Sequence, residues 1–227
     1  MPRRFEDELN ILNQALEEMC SLVAHSIHRS VRSLVEKNED YAHQVLRDEG
    51  RIDQMEIQID DMAAGVIARE QPVARDMRFV IAAIKIDTDL ERMGDLAVNI
   101  VERSLSLMRQ PNLPLHIDFT ELSGLVESMV LKCLEAFVTR DARIARDILV
   151  SDDQIDQLRN DLQRELVELM KRDTECVQRA LDHLFIARSL ERIADHATNI
   201  AEDVIFLVQG VNVRHQTEAN NRVPEIA

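Results

Sequence analysis

The chain repeats itself, and that repetition constrains its fold more than any other feature. Leu90-Glu91-Arg92-Met93-Gly94-Asp95-Leu96-Ala97-Val98-Asn99-Ile100-Val101-Glu102 aligns with Leu190-Glu191-Arg192-Ile193-Ala194-Asp195-His196-Ala197-Thr198-Asn199-Ile200-Ala201-Glu202 at an offset of 100 residues. Earlier in each half, Ile52-Asp53-Gln54-Met55 aligns with Ile155-Asp156-Gln157-Leu158 at an offset of 103. Two separate segments with nearly the same offset mark a copied unit of about half the chain, so the fold must be one that occurs twice.

What each copy folds into follows from periodicity. Apolar residues recur at three- and four-residue spacing nearly everywhere, beginning with Leu9, Leu12, Leu16, Met19 and Val23. Only 5 Gly, 5 Pro and 3% aromatics occur in 227 residues, too few turn and strand formers for a sheet protein. A second helical pattern runs through Val45, Ile52, Met55, Ile59, Met62 and Val66, after a break at Asn38, a residue suited to an N-cap. Gln71-Pro72 interrupts it, with Pro expected in the first turn of the next helix, which carries Phe79, Val80, Ile84, Leu90, Met93, Ala97 and Ile100. Pro111-Asn112-Leu113-Pro114 cannot continue a helix, and Asp118 with Glu121 reads as a capping pair opening the next one. Three further segments follow: one through Leu122, Leu125, Met129 and Phe137, one from Ile144 to Leu169, and one from about Thr174 to Val208, closed by Gly210.

The expectation is therefore an all-α protein of two tandem three-helix bundles related by internal duplication, packed end to end. The first unit spans 1–110, a linker 111–117, the second unit 118–213 and a flexible tail 214–227.

Charge narrows the partners. Formal net charge is −15, which repels nucleic acid and suits basic protein partners or cations. No stretch approaches the ~20 apolar residues of a membrane helix, and the opening Met1-Pro2-Arg3-Arg4-Phe5-Glu6-Asp7-Glu8 has no apolar run behind it. Cys20, Cys133 and Cys176 are odd in number and lack any Cys-x-x-Cys spacing, so a disulfide framework or zinc knuckle is not expected. A cytoplasmic setting follows, with any membrane reached only through partners.

Each copy also carries two acid-x-x-x-acid pairs: Glu49/Asp53 and Glu91/Asp95 in the first, Asp152/Asp156 and Glu191/Asp195 in the second. Residues four apart share a helix face, so each pair sets two like charges side by side at a cost of about 0.2–0.5 kcal/mol. Two readings stay open. The pairs are a solvated surface that was copied with the rest, or the second and third helices face each other and four carboxylates converge on Mg, Mn, Ca or iron, hard cations that favour oxygen ligands over zinc thiolate chemistry. Arg92 and Arg192 are expected to pair with carboxylates, and Arg75, Arg78 and Arg188 stand with them. His25, His28, His43 and His196 fall on helical segments in surface or capping roles, and the Met residues at helical spacing read as core.

Catalytic signatures are absent. There is no G-x-G-x-x-G, P-loop or G-x-S-x-G. The residues three before the histidines are Leu22, His25, Asp40, Leu113, Ala180, Ile193 and Asn212; none is Glu, which argues against a di-iron bundle oxidase. No enzymatic activity is expected.

The stretch Gln71-Pro72-Val73-Ala74-Arg75-Asp76-Met77-Arg78, continued by Leu90-Glu91-Arg92-Met93-Gly94-Asp95, closely resembles the signature of the PhoU family. The second copy closes in the same style, through Leu190-Glu191-Arg192-Ile193-Ala194-Asp195-His196-Ala197 and Phe206-Leu207-Val208-Gln209-Gly210 to Val213-Arg214-His215, so the likeness runs from Phe5 to about His215. The resemblance implies a dimeric accessory regulator of high-affinity phosphate uptake that represses the phosphate-starvation response. Its implied partners are the ATPase subunit of the phosphate ABC transporter and a sensor histidine kinase. It also implies metal clusters (Mg, Mn, Fe or Zn) on the four acid pairs named above; apart from the resemblance, those pairs leave a carboxylate-cluster metal-buffering protein as the alternative function. The second copy departs at Arg172-Asp173-Thr174-Glu175-Cys176, which replaces the Gln-Pro-Val-Ala entry, and Asp152 replaces the longer Glu49.

Overall fold

A computed structural model of the chain describes residues 2–70, 72–150 and 152–213, with the side chains of residues 2–4 and 152 also outside the description. The first unit is α1 (Pro2–Glu36), α2 (Glu39–Glu70) and α3 (Ala74–Met108). The second is α4 (Thr120–Thr139), then α5 (Ala142–Val150) and α6 (Asp152–Arg172) on either side of residue 151, then α7 (Val177–Gln209) behind a 3-10 turn at Thr174–Cys176. No strand occurs among the described residues. Each unit is a three-helix bundle, α5 and α6 together taking the place of α2. The expected tail, 214–227, lies outside the described residues, as do Arg214 and His215 of the closing motif and Gln71 of the interruption.

The duplication extends to the corners. Lys37 (φ 53°) and Arg140 (φ 54°), 103 residues apart, both adopt the left-handed conformation that ends one helix and turns the chain into the next. Each is followed by a side-chain cap: Asn38 Oδ1 accepts the Asp40 N–H at 2.9 Å, and Asp141 Oδ1 accepts the Arg143 N–H at 2.8 Å. The Arg143 side chain, donating to the same carboxylate, holds the Asp141 carboxyl down at about 2. Gly210 ends α7 with φ 71°, its N–H on the Phe206 carbonyl at 2.8 Å. Two details differ from expectation. Pro72 precedes the N-cap, Val73, and so stands outside the first turn of α3. Asp118 accepts the Thr120 N–H at 2.8 Å, but among the described residues Glu121 returns no bond.

The two units lie side by side, not end to end. The reason is visible on α3 and α7, which bury residues around most of their circumference: Val80, Ala82, Ala83, Ile86, Leu90, Met93, Leu96, Ala97, Ile100 and Val101 on α3, and Ile186, Ala187, Leu190, Ile193, Ala194, Ala197, Ile200, Ala201 and Val204 on α7. A helix that is apolar on every side needs partners on every side. One face of α3 covers α1 and α2; the other covers α7.

Three polar ties run along this seam. Lys85 Nζ lies 3.3 Å from Asp203 Oδ1, Asp89 Oδ1 lies 2.7 Å from His196 Nδ1 and 3.2 Å from Asn199 Nδ2, and Arg103 Nη1 lies 3.1 Å from Asp182 Oδ1. Numbers rise on α3 as they fall on α7, so the helices are antiparallel. Positions 103 and 203 correspond in the repeat, yet one is the cation of its tie and the other the anion. In both charged ties the cation comes from α3 and the acid from α7, so the two copies carry opposite charge along the seam. No helix among the described residues is long and apolar enough to cross a membrane.

Candidate functional site

In the first unit the two acid pairs do come together, across the α2–α3 contact. Gly94 permits the approach: a Cβ there would stand 3.1 Å from the Ile52 side chain. Beside this contact Glu49, Asp53 and Glu56 on α2 face Glu91, Asp95 and Glu102 on α3 closely enough to perturb one another. Partial burial, then the charges of Asp53, Asp95 and Glu102, hold the Glu49 carboxyl above its ordinary range. Partial burial, then Asp95 and Glu56, do the same to Glu91, with Arg92 opposing them from 3.4 Å. A face that raises its own carboxyls this way favours a proton, a metal cation or a basic side chain.

The cluster continues inward to Asp87. This carboxylate is fully buried on α3, and neither of its oxygens has a hydrogen-bond partner among the described residues. Burial, followed by the charges of Asp60, Glu56 and Glu91, lifts it to about 8. Its burial and the surrounding charges thus favour the protonated form of Asp87 beneath a charged rim.

The second unit has the same backbone arrangement with different electrostatics. At the offset of 103, Arg159 stands where the first unit has Glu56, and Gln163 where it has Asp60; at the offset of 100, Ala187 replaces Asp87. Arg159 Nη2 lies 2.9 Å from Glu191 Oε1 and 3.8 Å from Asp156 Oδ1, neutralising one carboxylate from each helix. Asp195 is exposed on α7, and the side chain of Asp152 lies outside the described residues. The first unit thus presents its carboxylates to one another, whereas among the described residues of the second unit Arg159 already pairs with Glu191 and Asp156. As they stand, no three His, Cys, Asp or Glu side chains among the described residues converge tightly enough to hold a metal.

The PhoU domain model matches the chain twice, over residues 16–104 and 119–204. The chain belongs to the PhoU family. It is 36% identical over 214 residues to a phosphate-specific transport system accessory protein PhoU homolog of Pseudomonas aeruginosa, covering 94% of this chain and 88% of that one. It is 33% identical over 211 residues to PhoU homolog 1 of Thermotoga maritima, covering 92% and 91%. Among solved structures, Pseudomonas aeruginosa PhoU superposes with a TM-score of 0.88 at 36% identity, covering 91% of this chain and all of that one. The PhoU regulatory protein of Streptococcus pneumoniae gives 0.84 at 31%, covering 92% and 99%. The duplicated PhoU fold read from the repeat is thereby established.

Other expected residues of this PhoU protein fall as follows. Arg92 pairs with Glu91, but Arg192 has no carboxylate partner among the described residues; it lines a groove with Arg103 and Arg188. His28 Nδ1 lies 3.1 Å from Glu127 on α4, and His196 joins the seam. The three cysteines are free and buried, Cys20 pushed up to about 12 by its apolar surroundings. Two residues escaped the sequence reading. Asp87 falls in register with Ala83, Leu90, Gly94 and Ala97 on the buried face, so an acid at a core position was the available signal. Arg159 could have been found by extending the 103-residue offset one turn past Asp156.

Proposed function

We propose that this chain is a non-enzymatic, cytoplasmic regulator of phosphate uptake, acting as a homodimeric adaptor between the ATPase subunit of a phosphate ABC transporter and a sensor histidine kinase, and repressing the phosphate-starvation response. One observation carries the reading: relatives named as accessory proteins of a phosphate-specific transport system match nearly the full length of the chain, in both repeats. The acidic α2–α3 face of the first unit supports it physically, since an adaptor of net charge −15 with one concentrated patch is suited to a basic surface on a partner. Alkaline phosphatase activity in phosphate-replete cells lacking the endogenous regulator tests this. The wild-type chain is expected to silence the activity, and Glu91→Gln with Asp95→Asn to restore part of it. A wild-type chain that leaves the activity high would refute the role.

A second reading is favoured by the raised carboxyls of Glu49 and Glu91: the first unit binds a divalent cation. Glu49, Asp53, Glu91 and Asp95 would hold it, and Asp156, Glu191 and Asp195 would not, given Arg159. The cation would neutralise like charges and tie α2 to α3. Equilibrium dialysis with Mn²⁺ is expected to find binding that Glu49→Gln with Glu91→Gln abolishes and that Asp156→Asn with Glu191→Gln leaves intact. Equal loss in both variants would reject this asymmetry.

A further inference from the structure

On a chain whose net charge is −15, a cleft lined by three arginines opens where the N-terminus of α3 meets the C-terminus of α7. Its volume is about 640 Å³, and its walls include Asn13 of α1, Arg75, Arg78 and Phe79 of α3, and Arg140 at the end of α4. Asp76 is the one carboxylate among the lining residues, so three guanidinium groups outweigh it. Arg78 Nε and Arg140 Nη1 are both buried and have no hydrogen-bond partner among the described residues. A buried N–H of a charged group left without an acceptor is costly, and rare in folded proteins.

Arg140 is held there by several constraints. Its guanidinium stacks 4.7 Å from the Phe137 ring centroid and 5.0 Å from that of Phe79, and another of its nitrogens donates to Asn13 Oδ1. Its backbone is left-handed at φ 54°, a conformation in which glycine or asparagine would be less strained. Burial disfavours its charge, the Glu17 carboxylate opposes that, and Arg75 adds to the effect of burial. Val73, the N-cap of α3, supplies no side-chain acceptor, so the N–H groups opening that helix add to the positive potential.

The pseudo-equivalent end of the molecule supplies the contrast. There Arg179, at the start of α7, donates to the carbonyls of Pro111 and Asn112 at 2.9 Å and of Glu175 at 3.2 Å, so the linker fills its guanidinium. Among the described residues no backbone carbonyl does the same for Arg78 Nε or Arg140 Nη1.

We propose that this pocket binds a phosphoryl-type oxyanion, either inorganic phosphate or the phosphate end of a larger organic molecule, through Arg75, Arg78 and Arg140. Guanidinium forks match the spacing of tetrahedral oxyanion oxygens, and the open N–H groups are the donors such an ion accepts from. The pocket exceeds the size of a free phosphate, which leaves room for an organic body against Leu9, Phe79 and Leu207. This site lies apart from the carboxylate cluster and does not rest on the regulatory reading.

Titration calorimetry of the full chain, at low ionic strength, tests it with inorganic phosphate in one arm and ATP in the other. Saturable binding of either is expected, weakened about tenfold or more by Arg78→Gln or Arg140→Gln, the scale of one charge-assisted hydrogen bond. Tighter binding of phosphate assigns the free ion; tighter binding of ATP assigns a phosphoryl group on a larger ligand. Arg188→Gln with Arg192→Gln, which removes two cations elsewhere, is expected to leave the affinity unchanged. Should Arg140→Gln fail to fold, exposed Arg75→Gln gives the same test. The proposal is overturned if neither ligand binds saturably, or if the pocket variants bind as the wild type does.

Discussion

Replacing Asp87 by asparagine is expected to flatten the pH dependence of stability between about pH 4 and pH 8. In the folded chain this carboxyl is raised from 3.8 to about 8. Above the unfolded pKa the unfolded chain has released the proton that the folded chain still holds. Stability from this group is therefore fully present at low pH, declines as pH rises, and levels off once the folded carboxyl ionises. The slope is about 1.4 kcal/mol per pH unit, reaching on the order of 5 kcal/mol across the window. Asparagine has no proton to lose, so the variant lacks that decline and gains on the wild type across the window, most of all by pH 8. Urea unfolding monitored by helical circular dichroism at several pH values measures it, and parallel profiles for the two chains would show that Asp87 ionises normally.

The second large effect lies at the seam. Asp182 is fully buried and is held by Arg103 Nη1 at 3.1 Å and Ser106 Oγ at 3.3 Å. Arg103→Met removes the only cation paired with it among the described residues and also the stack over Phe185, 4.9 Å from the ring centroid. An uncompensated buried carboxylate costs about 3–5 kcal/mol, discounted toward the lower figure because Arg103 is itself half-exposed. Adding Asp182→Leu removes the stranded charge, so the double variant is expected to recover most of the loss. If the two substitutions instead add, the pair is not coupled and the seam is held by apolar packing alone.

How much of this was legible depends on whether a feature is local or relational. The helices, the Asn38 cap, the Gly210 stop and the break at Pro111–Pro114 are written within a few residues of where they act, so periodicity and turn chemistry reveal them. The duplication was legible because copying preserves residues in order. The side-by-side packing was not. It depends on α3 and α7 each having a second apolar face, a property spread over more than thirty residues of each helix. Membership of one helix face can be read from the acid pairs, but whether the opposing helix answers with Glu56 or Arg159 cannot be judged from a pair taken alone. Arg140 was hidden for another reason: it is a corner residue, and its partners Asn13 and Phe79 come from two other helices.

The one-sided charges of the α3–α7 seam, cations on α3 and acids on α7, have a consequence for orientation. Two identical units meeting about a twofold axis would present an object that reads the same from either end, and a partner could seat it in two equivalent ways. Here Lys85 answers Asp203 at one end while Arg103 answers Asp182 at the other, and Arg179 is filled at one terminus while at the opposite one Arg78 Nε and Arg140 Nη1 have no acceptor among the described residues. Joining the copies in one chain let the halves diverge and gave the molecule a head and a tail. A partner that grips the seam can therefore be seated in only one sense.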